Sequence, residues 1–486
     1  MEVDNMRKQN KLALAIALAI ATGSMSIAAA QSAADFQDEE YYKSTGLDLI
    51  NAAEAYTAGY TGRGITLGIS DTPVNFLNPE FSLKKNSKMG NITYMVGKAA
   101  GIYDWSVLNH GTHVAGIAAA DRNGIGMQGV AYEAETVGCA YGAGLDNGGS
   151  GEIRTDAYDY YLAHPEIKVI KNTWGGGNYP DSMGITEQDI KDGDPDSGRM
   201  IISTASRDKL LVFSAGNSGH VNPDIEPLLG YWDAAAANNI LNVTALDASN
   251  TRTAGKIVAN QTNSNLMGFF SDLAKYAEDS TIAAPGYNIL SANSNYAADG
   301  KLDILMSGTS MASPFVTGAG AVVQQAFPYL SAKQIGDVLL STANNTIEYP
   351  RGIVTQIQED HVADTSQYQL NSETKEELLK KYEAYLANHV ADGWEKGIKR
   401  RIDTWKTQGG SINVYYNVPL QELVGQGVLD VGAAVKGPGA LNARRLTSSD
   451  ISSSYTVNGT NQQQALYSVD TQGYDSVWSN DIKEIK

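Results

Sequence analysis

The chain has 486 residues, a length at which more than one domain is expected. Hydrophobic residues make up 42% of the sequence, which excludes a mainly disordered protein. Acidic residues outnumber basic ones by 54 to 36, and a net charge of −18 makes a nucleic-acid partner unexpected, because phosphate backbones are bound by basic surfaces. The single cysteine, Cys139, excludes an intramolecular disulfide bond.

The N-terminus has the pattern of an export signal. Basic residues precede an apolar run from Leu12 to Thr22, and small residues follow as far as Ala30. This order predicts a signal peptide over residues 1–30, with cleavage before Gln31. The apolar run is shorter than the about 20 residues that a membrane-spanning helix needs, which makes a membrane anchor the weaker alternative. We therefore expect a secreted or cell-surface protein.

Short apolar runs then alternate with helical patterns along the chain. Buried strands are predicted at residues 65–70, 137–140, 169–170, 210–214 and 240–244. Helices are predicted at His113–Ala120 and at Pro314–Ala326, the second packed closely through Gly318 and Gly320. Strands that alternate with helices indicate an α/β fold with a mainly parallel central sheet covered on both faces.

Two later segments differ from this main domain, which is predicted to span residues 31–440. Residues 372–406 are rich in Glu, Lys and Arg, with apolar residues at helical spacing, which predicts a helical insert near residues 350–415. Residues 441–486 are rich in Ser, Thr, Asn and Gln, which predicts a linker or the start of a β-region.

Three short motifs carry residues that could perform chemistry together. Asp71 follows the first predicted strand, His110 opens the run His-Gly-Thr-His, and Ser310 lies in Gly-Thr-Ser-Met-Ala. Each has an ordinary structural explanation when taken alone, as a turn residue, a satisfied polar residue or a helix cap. Together they supply a hydroxyl nucleophile, an imidazole base that accepts its proton, and a carboxylate that orients the imidazole.

A fourth motif supplies what the developing negative charge would need. Asn217 follows the buried run at residues 210–214, and an amide at that position can donate a hydrogen bond to a tetrahedral oxyanion. The backbone N–H of Ser310, at the start of a helix, is the second donor. A turn residue is the structural alternative for Asn217.

These motifs resemble those of the subtilisin-like serine proteases, the subtilases, from about Thr61 to Ala343. The resemblance implies a three-layer α/β sandwich, and a serine endopeptidase that cleaves protein or peptide substrates through an acyl-enzyme, with no cofactor for the chemistry. It also implies that His110 is the base and that His113 is a structural neighbour. The family usually has glycine where Pro73 stands. We therefore expect a stiffer turn after Asp71, while the assignment of Asp71 is unaffected.

The resemblance assigns two further sets of residues. The substrate main chain is expected between two edges of the site, which contain Thr173, Trp174, Gly175, Gly149, Ser150 and Gly151. A structural calcium ion is expected in a loop whose oxygens come from Glu80, Asp121, Asn123, Ile125 and Met127. An ordinary glycine-rich turn with a solvated Glu80 is the alternative for this loop.

The C-terminal part resembles that of autotransporter subtilases, through Gly425–Asp430 and Val469–Ile482. This implies a passenger whose partner is a C-terminal translocator β-barrel that the chain lacks. Between Gln31 and Asp71 we expect no folded inhibitory domain, because so short a segment rarely folds alone.

Two other functions compete with proteolysis. A non-catalytic passenger could use the same fold as an adhesin. An esterase or lipase could use the same triad, but Gly-x-Ser-x-Gly is absent around Ser310 and the chain order is Asp, His, Ser.

Overall fold

The computed structural model describes six segments of the chain. They are residues 31–90, 109–140, 155–173, 201–259, 266–348 and 420–437, with gaps at 202, 218, 221, 233–238 and 269. It also gives the backbones of four strands at 353–357, 412–416, 453–457 and 460–464. The predicted signal peptide at 1–30 and the helical pattern at 372–406 lie outside the described residues, and the division into domains stays a prediction.

Seven parallel strands form the central sheet. They are β1 (Thr66–Asp71), β2 (Lys88–Met89), β3 (Glu135–Ala140), β4 (Val169–Asn172), β5 (Leu210–Ser214), β6 (Ile240–Asp247) and β9 (Thr281–Tyr287). Two further strands, β7 (Thr251–Thr253) and β8 (Lys256–Val258), come between β6 and β9 in the sequence and belong to a separate sheet. The spatial order of the central sheet is β2-β3-β1-β4-β5-β6-β9, and every neighbouring pair runs parallel. The prediction of a mainly parallel sheet is confirmed.

The described α-helices range from four to 18 residues in length. They are α1 (Glu39–Lys43), α2 (Ala52–Thr57), α3 (Asn109–Ala119), α4 (Thr155–Ala163), α5 (Ile225–Trp232), α6 (Tyr296–Asp299), α7 (Thr309–Ala326), α8 (Ala332–Ser341), α9 (Leu420–Val424) and α10 (Val431–Ala434). Single 3₁₀ turns occur at Ala33–Asp35, Pro79–Phe81 and Glu278–Ser280.

Strand β5 shows why the sheet is buried on both sides. Leu210 and Val212 pack into the core that contains α7, whereas Leu211 and Phe213 pack into a second core that contains Tyr158 of α4. Alternate side chains of a strand point to opposite faces, so an unbroken apolar run of this kind needs a layer of helices on each face. The result is a three-layer α/β sandwich.

Helix α7 is the central packing element of one face. It lies along β4, β5, β6 and β9 and also contacts α3. Gly318 allows this approach, because a Cβ at that position would lie 2.7 Å from the carbonyl oxygen of Ala118 in α3. The predicted close packing through Gly318 is therefore present, although both helices begin before the predicted positions, at Asn109 and Thr309.

Smaller strand pairs lie outside the main sheet. Strands β10 (Ile289–Ala292) and β11 (Asp303–Met306) form an antiparallel hairpin, and β12 (Ile347–Glu348) joins β8 and β7. Strand β13 (Ile353–Ile357) pairs with β14 (Ile412–Tyr416), so paired strands flank the segment for which a helical insert is predicted. Strand β15 (Ser453–Val457) pairs with β16 (Thr460–Gln464). In the part of the chain that the structure describes, no helix is both long and apolar enough to cross a membrane.

Candidate active site

Asp71 is the last residue of β1 and lies at the carboxyl edge of the sheet, on the strand next to its central one. Strand β1 lies between β3 and β4, and the Asp71 side chain has no exposed surface. The carboxyl edge is where open parallel sheets bind their ligands. Thr173 follows β4 and Asn217 lies beyond β5, so three of the predicted site residues are brought to one edge by the strand order alone.

The histidine predicted as the base contacts this carboxylate directly. His110 is the second residue of α3, and its Nδ1 lies 2.7 Å from Asp71 Oδ1. Its side chain is 28% exposed, so the opposite edge of the ring can reach a substrate. Thr72 supports the contact, because its hydroxyl accepts a hydrogen bond from the N–H of Gly111 at 2.7 Å and so ties the turn that contains Pro73 to α3.

Four hydrogen bonds hold the Asp71 carboxylate. Oδ1 accepts from the N–H of Thr72 at 2.7 Å as well as contacting His110. Oδ2 accepts from Lys171 Nζ at 2.5 Å and from the Thr173 hydroxyl. Burial alone would raise the pKa of Asp71, but the charges of His110 and Lys171 outweigh burial and hold that pKa well below its ordinary value.

Ser310 lies at the N-terminus of the longest described helix. It is the second residue of α7 and is 7% exposed. Gly308 precedes the helix, and a Cβ at Gly308 would be 3.5 Å from both Ser310 N and Asn217 Oδ1. The start of α7 therefore brings the predicted nucleophile, its backbone N–H and the predicted oxyanion amide to one place, at the positive end of a helix dipole.

The orientation of Asn217 is set by Thr309. The backbone N–H and the hydroxyl of Thr309 donate to Asn217 Oδ1 at 2.8 and 3.0 Å. Both partners are donors, so the atom that faces them is the oxygen, and the Nδ2 donor points away from Thr309. The turn before Asn217 requires glycine, because Gly216 has φ +115° and a Cβ there would lie 2.1 Å from Asp272 Oδ2.

His113 has a structural position, as the resemblance implies. It is fully buried, and its Nε2 lies 3.1 Å from the carbonyl oxygen of Ile289 and 3.0 Å from that of Ile304. These contacts join α3 to the β10–β11 hairpin. Burial lowers the pKa of His113 to about 3, so the ring is neutral near neutral pH and Nε2 carries the proton that the two carbonyls accept.

Of the six predicted substrate contacts, one lies among the described residues. The hydroxyl of Thr173 is engaged by Asp71 and Lys171, so any contact of this residue with a substrate would use its main chain. The other predicted contacts lie outside the described residues: Trp174, Gly175, Gly149, Ser150 and Gly151.

The predicted calcium loop packs around the buried carboxylate of Glu80. Glu80 Oε1 accepts from the N–H of Met127 at 3.1 Å, and Oε2 is buried without a hydrogen-bond partner among the described residues. The carboxylate of Asp303 lies beside it, since a Cβ on Gly126 would contact both groups. Burial, and next the charge of Asp303, raise the pKa of Glu80 to about 9. A buried carboxylate beside a second, half-buried carboxylate requires a proton or a cation, so this donor set fits a cation.

The other predicted ligands have internal contacts. The Asp121 carboxylate pairs with Lys84 at 3.1 Å, and Asn123 Oδ1 accepts from the N–H of Ile125 at 3.1 Å. Asp121, Ile125 and Met127 would therefore serve through main-chain oxygens, as predicted. Within the described segments no three His, Cys, Asp or Glu side chains form a group that could hold a metal ion.

Sequence reasoning missed three residues of these two sites. Glu40 of α1 accepts from the N–H groups of Asn123 and Gly124 at 2.8 and 2.9 Å, so its carboxylate holds the loop. Asp303 joins Glu80 from the β10–β11 hairpin. Lys171 donates a hydrogen bond to Asp71. The sequence does contain an indication of this contact, because a lysine inside the apolar run of β4 needs a buried partner.

Comparison with known proteins shows to which family the chain belongs. The sequence model of the subtilase family matches residues 62–373, which is more than half of the chain. The chain is 32% identical over 355 residues to an extracellular serine protease of Serratia marcescens, a match that covers 63% of this chain and 32% of that protein. It is 29% identical over 314 residues to subtilisin Savinase of Lederbergia lenta, covering 64% of this chain and 95% of that protein.

A solved structure of a cold adapted subtilisin-like serine proteinase aligns with a TM-score of 0.41 and 23% identity, covering 59% of this chain and 85% of that one. The fold is a three-layer α/β sandwich whose carboxyl edge brings Asp71 and His110 into contact. The chain belongs to the subtilase family. It matches only about a third, 32%, of the length of the Serratia proteins.

The buried neutral His113 gives a prediction about acid stability. Below its ordinary pKa of 6.5 the unfolded chain binds a proton at this residue, whereas the folded chain does not until about pH 3. Lowering the pH through this window should therefore destabilise the protein by up to about 1.4 kcal/mol per pH unit at this residue. Urea unfolding at pH 7 and pH 5 should show a smaller loss in His113→Gln than in wild type. An equal loss in both proteins would contradict the assignment.

Proposed function

We propose that this chain is an exported serine endopeptidase that hydrolyses peptide bonds with Asp71, His110 and Ser310. The observation that carries the proposal is the 2.7 Å contact between His110 Nδ1 and Asp71 Oδ1. A carboxylate at Nδ1 fixes the tautomer in which Nε2 is the base, which is the arrangement that activates a serine hydroxyl. Membership of the subtilase family supports the same assignment.

The reaction follows from these positions. Ser310 Oγ attacks the scissile carbonyl carbon while His110 Nε2 takes the hydroxyl proton, and a tetrahedral intermediate forms. His110 then gives this proton to the leaving amine nitrogen, the C–N bond breaks, and an acyl ester remains on Ser310. A water molecule that loses a proton to His110 attacks the ester, and breakdown of the second intermediate releases the acid and restores the serine hydroxyl.

The negative oxygen of each intermediate is stabilised by two donors. Asn217 Nδ2 and the Ser310 N–H both lie at the start of α7, where the helix dipole is positive. Thr309 holds the Asn217 amide in one orientation before substrate binds, so no reorganisation is needed as charge develops. Asp71 stabilises the imidazolium that forms on His110 at the same time.

The substrate main chain is expected to add a strand between the two predicted edges of the site. Thr173 follows β4 next to Asp71, which is the support that the described residues offer for one edge. Main-chain pairing of this kind tolerates many side-chain sequences, which suits a peptidase of broad range.

Export is supported by the signal pattern over residues 1–30 and by the names of the Serratia relatives, which are called extracellular. The likeness of the C-terminal part to autotransporter passengers supports a cell-surface protein whose partner is a C-terminal translocator β-barrel.

A structural calcium ion is the remaining part of this proposal. Glu80 would supply a carboxylate, Asn123 an amide oxygen, and Asp121, Ile125 and Met127 main-chain oxygens. The support is the buried, unpaired Oε2 of Glu80 beside the carboxylate of Asp303. Bound there, calcium would neutralise these charges and hold the loop against α1 and the β10–β11 hairpin.

Removal of the nucleophile tests the triad. Ser310→Ala should lose on the order of 10⁶-fold in kcat, because the three groups act as a unit, while its circular dichroism matches wild type. Ser313→Ala, which removes a buried hydroxyl from the same helix, should keep kcat within a few fold. Peptide hydrolysis and labelling by a fluorophosphonate measure both. A non-catalytic adhesin would give no hydrolysis or label in any of the three proteins.

The oxyanion role makes a smaller and more specific prediction. Asn217→Ala should lower kcat by about 10²–10³-fold, the loss typical of one oxyanion donor, with KM little changed. The control is Asn242→Ala, in which the lost amide belongs to β6 and binds the Thr281 hydroxyl. Steady-state kinetics on one peptide decide the matter. A rise in KM at unchanged kcat would assign Asn217 to substrate binding instead.

Calcium is tested by stability rather than activity. Added calcium should raise the Tm of wild type relative to chelator, because an ion that binds the folded state alone stabilises it by mass action. Glu80→Ala should lose most of this rise, whereas Glu348→Ala, which removes an exposed carboxylate that pairs with Lys256, should keep it. If wild type melts at the same temperature in calcium and in chelator, the loop holds no calcium.

A further inference from the structure

A lysine lies where the triad as described needs none. Lys171 is in β4, and its side chain has no exposed surface. Its Nζ donates to Asp71 Oδ2 at 2.5 Å and to the hydroxyl of Thr173. His110 contacts the other carboxylate oxygen, so the Asp71 carboxylate lies between two basic groups, of which His110 is part of the reaction.

Burial of Lys171 is unfavourable for the fold. Transfer of an ammonium group out of water costs several kcal/mol unless it is paired, and burial lowers the pKa of Lys171 to about 8 despite the opposing effect of the Asp71 carboxylate. The preceding residues of β4, Val169 and Ile170, are apolar and equally buried. An apolar residue would therefore suit the strand better at this position, and the lysine is explained by its partner.

A second buried lysine in the sheet provides the contrast. Lys209 directly precedes β5, and its Nζ donates to the carbonyl oxygens of His164 and Ile167 at 2.7 and 2.6 Å. Burial lowers its pKa to about 8 as well. Lys209 satisfies main-chain oxygens far from the site, whereas Lys171 places its charge on the catalytic carboxylate.

We propose that Lys171 is a positioning residue that acts through Asp71 and sets the pH range in which His110 works as a base. This role of Lys171 rests on the proposed function, because it adds a fourth residue to the proposed triad. Lys171 holds Oδ2 so that Oδ1 faces His110, and its charge offsets part of the negative field that Asp71 exerts on the imidazole. A weaker field favours the imidazolium less, so the neutral base persists to lower pH.

The other groups near Asp71 do not supply this effect. Thr72 and Thr173 donate hydrogen bonds from neutral groups. His113, which lies behind His110 on α3, is neutral over most of the working range because its pKa is lowered to about 3. Among the described groups that contact the Asp71 carboxylate, the positive charge that stays in place through the reaction is that of Lys171.

The test is the pH profile of kcat/KM for the full chain on one peptide substrate, normalised to sites counted by a fluorophosphonate. Lys171→Met should move the acidic midpoint up by about one pH unit, because Asp71 then stabilises the imidazolium with its full charge. On the acidic limb its kcat/KM should be about tenfold below wild type, and at alkaline pH it should recover to within about threefold. KM should change little.

Two further variants separate this effect from a structural one. Lys171→Gln keeps a donor toward Asp71 without the charge and should show the same upward shift. Lys209→Met removes a second buried lysine and should leave the midpoint unchanged, whatever it does to stability. Counting competent sites corrects each profile for molecules that fail to fold.

Each outcome bears on one claim. Acidic midpoints in both Lys171 variants within about 0.2 units of wild type, or below it, would overturn the role of Lys171. A wild type without hydrolysis, or a Ser310→Ala protein that keeps it, would overturn the proposed function instead. An equal shift in Lys209→Met would show that loss of any buried lysine charge moves the profile, and would also overturn the proposal.

Discussion

The buried negative charge of Asp71 is the constraint around which the site is built. A carboxylate with no exposed surface is stable only when its oxygens are bonded and its charge is balanced, and here a main-chain N–H, a hydroxyl, an imidazole and an ammonium group do so. These partners come from the residue after β1, from α3, from β4 and from the residue after β4. Strand pairing in the sheet and the start of α3 must therefore form correctly before the charge is satisfied, which couples the fold to the geometry of the imidazole.

The parts of this arrangement that depend on local pattern could be predicted from the sequence. Strand β5 occupies residues 210–214 as predicted, and α7 ends at Ala326 as predicted. The start of α7 was predicted at Pro314, five residues late, because a proline usually marks the first turn of a helix. Here the helix begins at Thr309, and so Ser310 belongs to its first turn. The order of the Asp, His and Ser motifs and the subtilase resemblance predict the triad, and the structure brings two of its members, Asp71 and His110, into contact.

Contacts between distant segments were beyond the reach of the sequence alone. Lys171 lies 100 residues from Asp71 along the chain, and Glu40 lies more than 80 residues from the loop that it binds. No periodicity or capping signal links such residues, because their proximity follows from the order of strands in the sheet. The lysine in a buried strand did signal a missing partner, but the identity of that partner required the topology. Asp303 is a similar case, since its hairpin is placed by packing against α3.

The contact between α3 and α7 has a consequence for how the family can diversify. His110 begins one of these helices and Ser310 begins the other, and the backbones touch where Gly318 faces Ala118. His110 and Ser310, the proposed base and nucleophile, thus lie on two helices that pack against each other, and neither helix includes the segments that follow β3 and β4. Those segments contain the predicted substrate edges, and changes within them replace none of the residues that form the contact between α3 and α7. New substrate preferences can therefore arise by loop exchange on an unchanged catalytic frame.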